Sequence, residues 1–474
     1  MGGLAGYGAY IPYYRLERSR IAGVLGSGGG RGTRSVAGYD EDTTSMAVEA
    51  GRAALASLMD RRDAVHQLYF ATTVPAYADK TNATAVHAAL RLPAGALAVD
   101  MAGAVRSGVG ALLSAAQATR PTMAVLADIR TGLPGSADER DGGDGAAAFI
   151  FAGVDSGLPV LAEITGQACA TAEFLDRWRS PGAAASRVWE DRFAEQVYAP
   201  LAEAAMADAL KQAGLTPGQV DHLIVAGLPS RAAARTVRAA GVRPEAVTGN
   251  LAASIGNAGT AQPGILLADV LDRAGPGQHI VLVVLADGAT AVVLRTTTEL
   301  ASHRPPKPVA AQIATGSTAL DYAMFLSWRG FLDREPPRRP DPDPVAAPPA
   351  QRRVDWKFGL MAATCTRCGT RSLPPDRVCQ HCHAVDEMTA EPLAGVAATV
   401  ATYTVDRLAY TPSPPMLMVV LDFDGGGRMR CQLTDAAEDE VRIGLRAEMT
   451  FRRMVTAAGV HNYFWKARPV RGAA

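Results

Sequence analysis

Three short motifs occur twice in this chain, in the same order in each half. Val65-His-Gln-Leu-Tyr-Phe-Ala71 is echoed by Val220-Asp-His-Leu-Ile-Val-Ala-Gly227. Val125-Leu-Ala-Asp128 returns as Val284-Leu-Ala-Asp287, and Asp144-Gly-Ala-Ala-Ala-Phe-Ile-Phe151 as Asp287-Gly-Ala-Thr-Ala-Val-Val-Leu294. Each motif reads as a short apolar strand. Ala- and Leu-rich helical stretches separate them: Thr43 to Leu58, Gly108 to Thr119, Leu201 to Ala213. Strands alternating with helices build parallel sheets covered on both faces. A duplicated unit of this kind predicts five layers (helix, sheet, helix, sheet, helix), with halves at about 1–155 and 156–300.

The remaining length needs further domains, because 474 residues exceed one ordinary core. Pro305, Pro306 and Pro308 break the pattern, and a helical piece over Ala319 to Leu332 follows. Glu335 to Ala350 then holds seven prolines in sixteen residues, which predicts an extended linker over 334–355. Beyond it, apolar or alternating runs at Gly395 to Val405, Met416 to Phe423, Arg428 to Leu433, Leu445 to Arg453 and Asn462 to Ala467 predict a five-stranded OB-fold β-barrel over 391–474.

Four of the six cysteines lie between the linker and the barrel, as Cys365-x-x-Cys368 and Cys379-x-x-Cys382. Each CxxC places two thiolates on one tight turn, and two such turns close a tetrahedron around Zn²⁺, with iron the alternative. His381 and His383 flank the last cysteine, and either could replace it as ligand. The expectation is a small rubredoxin-like zinc ribbon over 356–390, structural because its coordination is closed.

Lys+Arg and Asp+Glu balance at 47 each, so no global field favours nucleic acid, and the acidic residues Asp422, Asp424, Asp435, Glu438, Asp439 and Glu440 argue against a nucleic-acid groove on the barrel. Met1 to Arg20 lacks the charge and apolar run of a secretory signal, and the most apolar run, Ile280 to Ala286, is too short to span a bilayer. The expectation is a cytoplasmic, membrane-free protein.

Gly6-Tyr-Gly-Ala-Tyr-Ile-Pro12, then Tyr39-Asp-Glu-Asp-Thr43 before a helix, resemble the start of a 3-hydroxy-3-methylglutaryl-CoA synthase, a thiolase-superfamily enzyme with ketoacyl synthase III as a cousin. Glu173-Phe-Leu-Asp-Arg-Trp-Arg179, Gly256-Asn-Ala-Gly259 and Leu320-Asp-Tyr-Ala-Met-Phe-Leu-Ser-Trp-Arg-Gly330 extend the resemblance over residues 3–333. Residues 351–470 resemble the zinc-ribbon/OB-fold proteins that accompany thiolase-type enzymes as acyl-CoA-associated partners. The resemblance implies an α/β, duplicated five-layer thiolase-like fold, a CoA or phosphopantetheine thioester as substrate, and a homodimer joined through a sheet edge.

That family works with a cysteine nucleophile, a glutamate acid/base and a histidine. In this chain Val105 stands at the cysteine position, Thr73 at the glutamate and Ala226 or Gly227 at the histidine, while Asn257 is retained. Valine cannot carry an acyl group. What remains on the resemblance is Asn257 as donor to a thioester carbonyl, Tyr77 to polarise a carbonyl or move a proton, Lys80 and Arg106 to meet CoA phosphates, and Ser230 to line the substrate mouth. His87 reads as a packed histidine, Cys169 as an unreactive thiol, and Asp138-Glu-Arg-Asp141 as a solvated loop cluster. Two readings follow. One is an enzyme making, breaking or transferring a C–C or acyl bond on an acyl-CoA or acyl-carrier-protein thioester without a cysteine. The other is a non-catalytic scaffold or channelling subunit for a thiolase or ketosynthase partner.

Overall fold

Each copy of the repeat forms its own half-sheet. In the computed structural model, which describes residues 2–338 and 342–471, the first half supplies β1 (Gly3–Tyr10), α1 (Thr43–Ser57), β2 (Gln67–Thr72), α2 (Ala83–Leu90), β3 (Leu97–Ala102), α3 (Arg106–Gln117), β4 (Thr122–Ile129) and β5 (Asp144–Ala152). The second supplies β6 (Ala162–Thr171), α4 (Asp191–Ala213), β7 (His222–Gly227), α5 (Ser230–Ala239), α6 (Gln262–Leu271), β8 (His279–Leu285) and β9 (Gly288–Thr296). The strand order is β7-β8-β9-β6-β1-β5-β4-β2-β3. Only Leu4 opposite Ala162 joins β1 to β6, so the sheet is two half-sheets meeting edge to edge.

The five layers follow from which faces are apolar. β5 is buried along its whole length, as a strand covered on both faces must be. α1 and α2 cover the outer face of the first half-sheet, and α4 and α5 that of the second. α3 and α6 lie between the half-sheets in a core drawn from both halves. The thiolase-like α/β fold is thus the one expected, with one asymmetry: among the described residues, the second half has no counterpart of β3.

After β9 the chain returns to the first half through α7 (Tyr322–Trp328). Phe325 lies between the Arg34 and Arg329 guanidiniums, 5.1 and 5.4 Å from its ring centroid, and both cations meet the buried Asp144 carboxylate. The described part of the proline-rich stretch before Ala347 forms neither helix nor strand, and only its end is helical. That end forms a short helix, α8 (Ala347–Arg352), because Pro348 and Pro349 occupy its first turn, where a missing N–H costs nothing. Residues 339–341 of that stretch lie outside the described residues.

Next come the three strands of a small sheet, β10 (Met361–Cys365), β11 (Arg371–Ser372) and β12 (Met388–Pro392). The OB-fold is a closed barrel of β13 (Ala398–Asp406), β14 (Met416–Phe423), β15 (Arg428–Leu433), β16 (Arg446–Ala457) and β17 (Val460–Pro469), in the order β13-β14-β15-β17-β16. It is seated on α1, and one apolar core runs from the first half-sheet into the barrel.

The seam is also ionic. Arg452, fully buried, reaches Glu41 at 2.8 Å and Asp435 at 2.5 Å, and Lys466 reaches Asp40 at 2.8 Å. Glu49 of α1 accepts from Arg52 at 2.8 Å, lies 3.0 Å from Arg468 and takes the Phe451 N–H at 3.1 Å. The Tyr39–Thr43 motif is therefore the socket that receives the barrel.

Candidate active site and metal centre

β2, β3 and β4 run parallel, as do β7 and β8, so their carboxyl ends open on one crevice, where an α/β sheet places its ligands. A cavity of about 200 Å³ lies there. Thr73 closes β2, Gly103 to Val105 lead into α3, Arg130 follows β4, and Leu228-Pro229 and Ala286-Asp287 follow β7 and β8. The remaining wall is Asp176 to Arg179, Ser186 and Tyr198 of α4. All three positions where the resemblance puts chemistry therefore lie in or at this cavity, as Thr73, Val105 and the end of β7 at Ala226-Gly227.

Thr73 turns its hydroxyl away from any acid/base role. Its Oγ1 donates to Asp128 at 2.6 Å, and its carbonyl accepts from Arg179. Asp128 is fully buried and also takes the Thr260 N–H at 3.1 Å. Asn257 is absorbed by its own loop: its Nδ2 donates to the Gly227 carbonyl at 2.8 Å and its Oδ1 accepts the Gly259 N–H at 3.0 Å. Tyr77 lies away from the crevice lining. Its hydroxyl accepts the His461 N–H of the β16–β17 hairpin at 2.7 Å, so it ties the barrel to the large domain. Lys80 is exposed and donates to Thr81 and Thr84, both at 3.0 Å. Arg106 is spent on the carbonyls of Ala286 and Asp287 and on Thr171 Oγ1, at 2.7–2.8 Å. Ser230 is exposed at the start of α5.

His87 packs with its Nε2 on the Pro93 carbonyl at 3.0 Å. The Asp138–Asp141 segment is not a solvated cluster. Glu139 is fully buried and accepts the Tyr322 hydroxyl at 3.1 Å, and Asp138 forms a two-pronged pair with Arg177. The charges at that turn hold α7 and the Asp176–Arg179 wall in place.

Two titratable groups in the crevice were not singled out from the sequence. The Tyr198 hydroxyl, almost wholly buried, faces the Asp176 carboxyl and accepts the Asp287 N–H at 3.1 Å. Burial, with Asp287 nearby, raises the Asp176 carboxyl above its usual range, and burial with Asp176 nearby keeps Tyr198 protonated. Asp176 falls within the Glu173–Arg179 motif, so a signal was present. Arg130 carries a different one. It stands two residues after Asp128, where the second copy has Ala289 after Asp287, so it breaks the internal repeat.

A larger cavity, about 530 Å³, lies at the seam of α1 and the barrel and shares no lining residue with the crevice. Its charged lining is largely paired within itself, as Arg52–Glu49, Arg62–Asp60, Lys307–Glu448 and Arg468–Glu448. It reads as interdomain space.

In the small sheet the four cysteine sulfurs converge, all within 4.8 Å of one another, with Cys365–Cys382 at 3.6 Å and Cys368–Cys379 at 3.5 Å. A tetrahedron with metal–sulfur bonds of about 2.3 Å has edges of about 3.8 Å, so the donor set fits one ion. The two turns match: Gly369 N–H bonds the Cys365 carbonyl at 2.9 Å and His383 N–H the Cys379 carbonyl at 3.0 Å, both from left-handed residues (φ +73° and +58°). His383 is thus the turn residue of the second knuckle, at the place Gly369 holds in the first.

The fold and crevice together define a thiolase-like α/β chain with a fused OB-fold domain. Residues 210–296 match the model for the C-terminal part of 3-oxoacyl-[acyl-carrier-protein] synthase III, and residues 390–452 match that for the C-terminal OB-fold domain of ChsH2. The chain is similar to the hydroxymethylglutaryl-CoA synthases of Methanothermobacter thermautotrophicus and Picrophilus torridus. It is 28% identical to each, over 70% of this chain and 99% and 98% of theirs. Among solved structures, MvaS in complex with 3-hydroxy-3-methylglutaryl coenzyme A superposes with a TM-score of 0.56 at 20% identity, over 72% of this chain and 94% of that one. The 3-oxoacyl-[acyl-carrier-protein] synthase III of Aquifex aeolicus gives 0.54 at 19%, over 62% and 100%. These structural likenesses concern the fold.

Proposed function

We propose that this chain is an acyl-thioester enzyme of thiolase-like fold that makes, breaks or transfers a C–C or acyl bond on a CoA or carrier-protein thioester without a cysteine nucleophile. The observation that carries the reading is the crevice at Val105. On the resemblance Val105 takes the nucleophile's place there, yet the crevice is open and holds a desolvated carboxyl–phenol pair, Asp176 and Tyr198. Such a pair can take a proton from a β-hydroxyl and return one to a thioester enolate, as aldol-type cleavage requires, with no acyl-enzyme. At the start of α3, beside Val105, the Ser107 and Gly108 N–H groups bond the Ala104 and Val105 carbonyls, and the Arg106 N–H is the one placed to meet a developing oxyanion. The similarity to hydroxymethylglutaryl-CoA synthases supports a CoA thioester as substrate.

In this reading the four-cysteine site holds zinc and keeps the small sheet folded, and β3, an edge strand only partly covered along its length, pairs with a second copy. Arg231, Arg235 and Arg238 stand exposed on α5, which starts at Pro229 of the crevice wall, and they suit the phosphates of CoA or a phosphorylated acidic carrier.

The test is turnover of β-hydroxyacyl-CoA esters by the purified chain. Asp176→Asn and Tyr198→Phe should each lower kcat by about a hundredfold or more, with the melting temperature held. No turnover by the lone chain, together with co-purification of a cysteine-bearing thiolase or ketosynthase, would establish the scaffold reading instead. The replacement of all three family side chains favours that alternative.

A further inference from the structure

The pairing of charges around the interdomain cavity leaves one cation over. Six of the cavity's lining side chains are cations and four are carboxylates. Arg52, Arg62, Lys307 and Arg468 are paired as described, and Arg471 meets Glu440 at 3.0 Å. Arg91 forms no hydrogen bond or ion pair among the described residues, so its donors are free to meet what enters the cavity. Burial and the like charge of Arg62 both weigh against its guanidinium, while Asp60 and Asp355 pull the other way from beyond ion-pair distance.

The backbone presents this side chain at a cost. Arg91 closes α2 with φ +54°, the left-handed region that favours glycine. An arginine kept where a glycine would be free of strain points to a use for its side chain. Its stem lies across Gly359, where a Cβ would stand 3.1 Å from Arg91 Cγ and Cδ. Arg62 donates to the Leu90 carbonyl at 3.1 Å, which puts a second guanidinium at the same helix end.

The rest of that end of the cavity is apolar. Ala53 and Ala56 of α1, Ala89 and Leu90 of α2, and Pro392 and Ala394 after β12 contribute to the lining. The Leu393 N–H bonds the Leu360 carbonyl at 3.0 Å, and the Ala394 carbonyl accepts from Arg52 at 2.6 Å, so the wall opposite the helices is fixed beside Gly359. The volume of about 530 Å³ is that of a small-molecule site, and such sites favour domain interfaces.

We infer that the seam cavity is a second binding site, for a small amphipathic oxyanion. Its head, a carboxylate, sulfonate or phosphate, accepts from the Arg91 guanidinium, and its apolar body lies along the alanine, leucine and proline wall. The site is separate from the crevice, with which it shares no lining residue, and it stands whether or not the acyl-thioester reading does.

Fluorescence titration of the full chain with 8-anilinonaphthalene-1-sulfonate, and with N-phenyl-1-naphthylamine, which lacks the sulfonate, tests this. The native chain should bind the sulfonate at least about tenfold more tightly, the size of a charged hydrogen bond. Arg91→Gly should erase that preference with the melting temperature held or raised, because glycine suits the backbone there. Arg91→Lys should keep part of the preference. Ala56→Leu, which narrows the cavity and leaves the crevice alone, should weaken both probes. Should Arg91→Gly fail to fold, the preference in Arg91→Gln decides in its place. No saturable binding, equal affinity for the two probes in the native chain, a preference that survives the loss of the guanidinium, or unchanged binding in Ala56→Leu overturns the inference.

Discussion

A valine side chain has no lone pair to offer an acyl carbon, and Val105 stands where a thiolate would enjoy the start of α3. Restoring the thiol tests whether the rest of the crevice still presents a thioester there. Val105→Cys, incubated with acetyl-CoA, should gain one acetyl group by intact mass, while the native chain gains none. An adduct on native Cys169 would contradict the reading of that exposed thiol. At this scale the sequence placed Thr73, Val105 and Ala226-Gly227 as the positions the resemblance assigns to the catalytic side chains, and the structure brings Thr73 and Val105 into one crevice with the end of β7 beside it. What could not be read was which polar atoms were already taken. Nothing in the sequence says that the Tyr77 hydroxyl is held by a hairpin almost four hundred residues later, or that both ends of the Asn257 amide are spent inside its own loop. Such partners are set by packing across domains, and motif spacing carries no record of them.

Helix α1 shows how an element acquires an unusual composition from two neighbours. Most outer helices keep one polar face, but α1 is buried on nearly all sides because the half-sheet lies under it and the barrel over it. Its start is fixed by Asp42, which accepts the Ser45 N–H at 2.8 Å while its own N–H meets Ser45 Oγ at 2.9 Å. Asp42 also accepts the Tyr463 hydroxyl at 2.7 Å. Asp42→Ala should therefore cost more than the ~1 kcal/mol of an ordinary cap, reaching about 2–3 kcal/mol as the buried Tyr463 hydroxyl loses its acceptor, read by urea unfolding. In the small sheet, the matching CxxC turns predict about one zinc per chain by elemental analysis, and chelation should lower the melting temperature without changing the state of the large domain. The strands of the barrel were legible from alternation alone, whereas the proline-rich helix α8 was not, since the same prolines suit either an extended segment or a helix start.

Across the whole molecule the barrel and the large domain are bound by buried charge, and the two key carboxyls respond oppositely to pH. Burial alone would push the Glu49 carboxyl up, but the Arg52 and Arg468 guanidiniums hold it down, at about 2 against an ordinary 4.5. Its stabilisation is present above about 4.5 and is lost as pH falls toward 2. Glu41 is pushed up by burial, to about 7, despite the pull of Arg452. The folded chain holds that proton where the unfolded chain releases it, so its contribution is full below about 4.5 and lost as pH rises through 7. Stability measured by urea unfolding should thus fall on both sides of mildly acidic pH. Glu49→Gln should remove the acid limb at a cost of about 3 kcal/mol at neutral pH, and Glu41→Gln should flatten the limb between 4.5 and 7.

The seat of the barrel on α1 has a consequence in time. Tyr463 and Asp42 lie 421 positions apart, and Phe451 meets Glu49 across 402. During synthesis the helix leaves the ribosome some four hundred residues before the strands that neutralise and cover it. Until they arrive, the nascent domain holds a helix with bare apolar surface and carboxylates lacking their counter-charges, so its final consolidation waits on contacts of very high sequence separation, the kind that fold slowest.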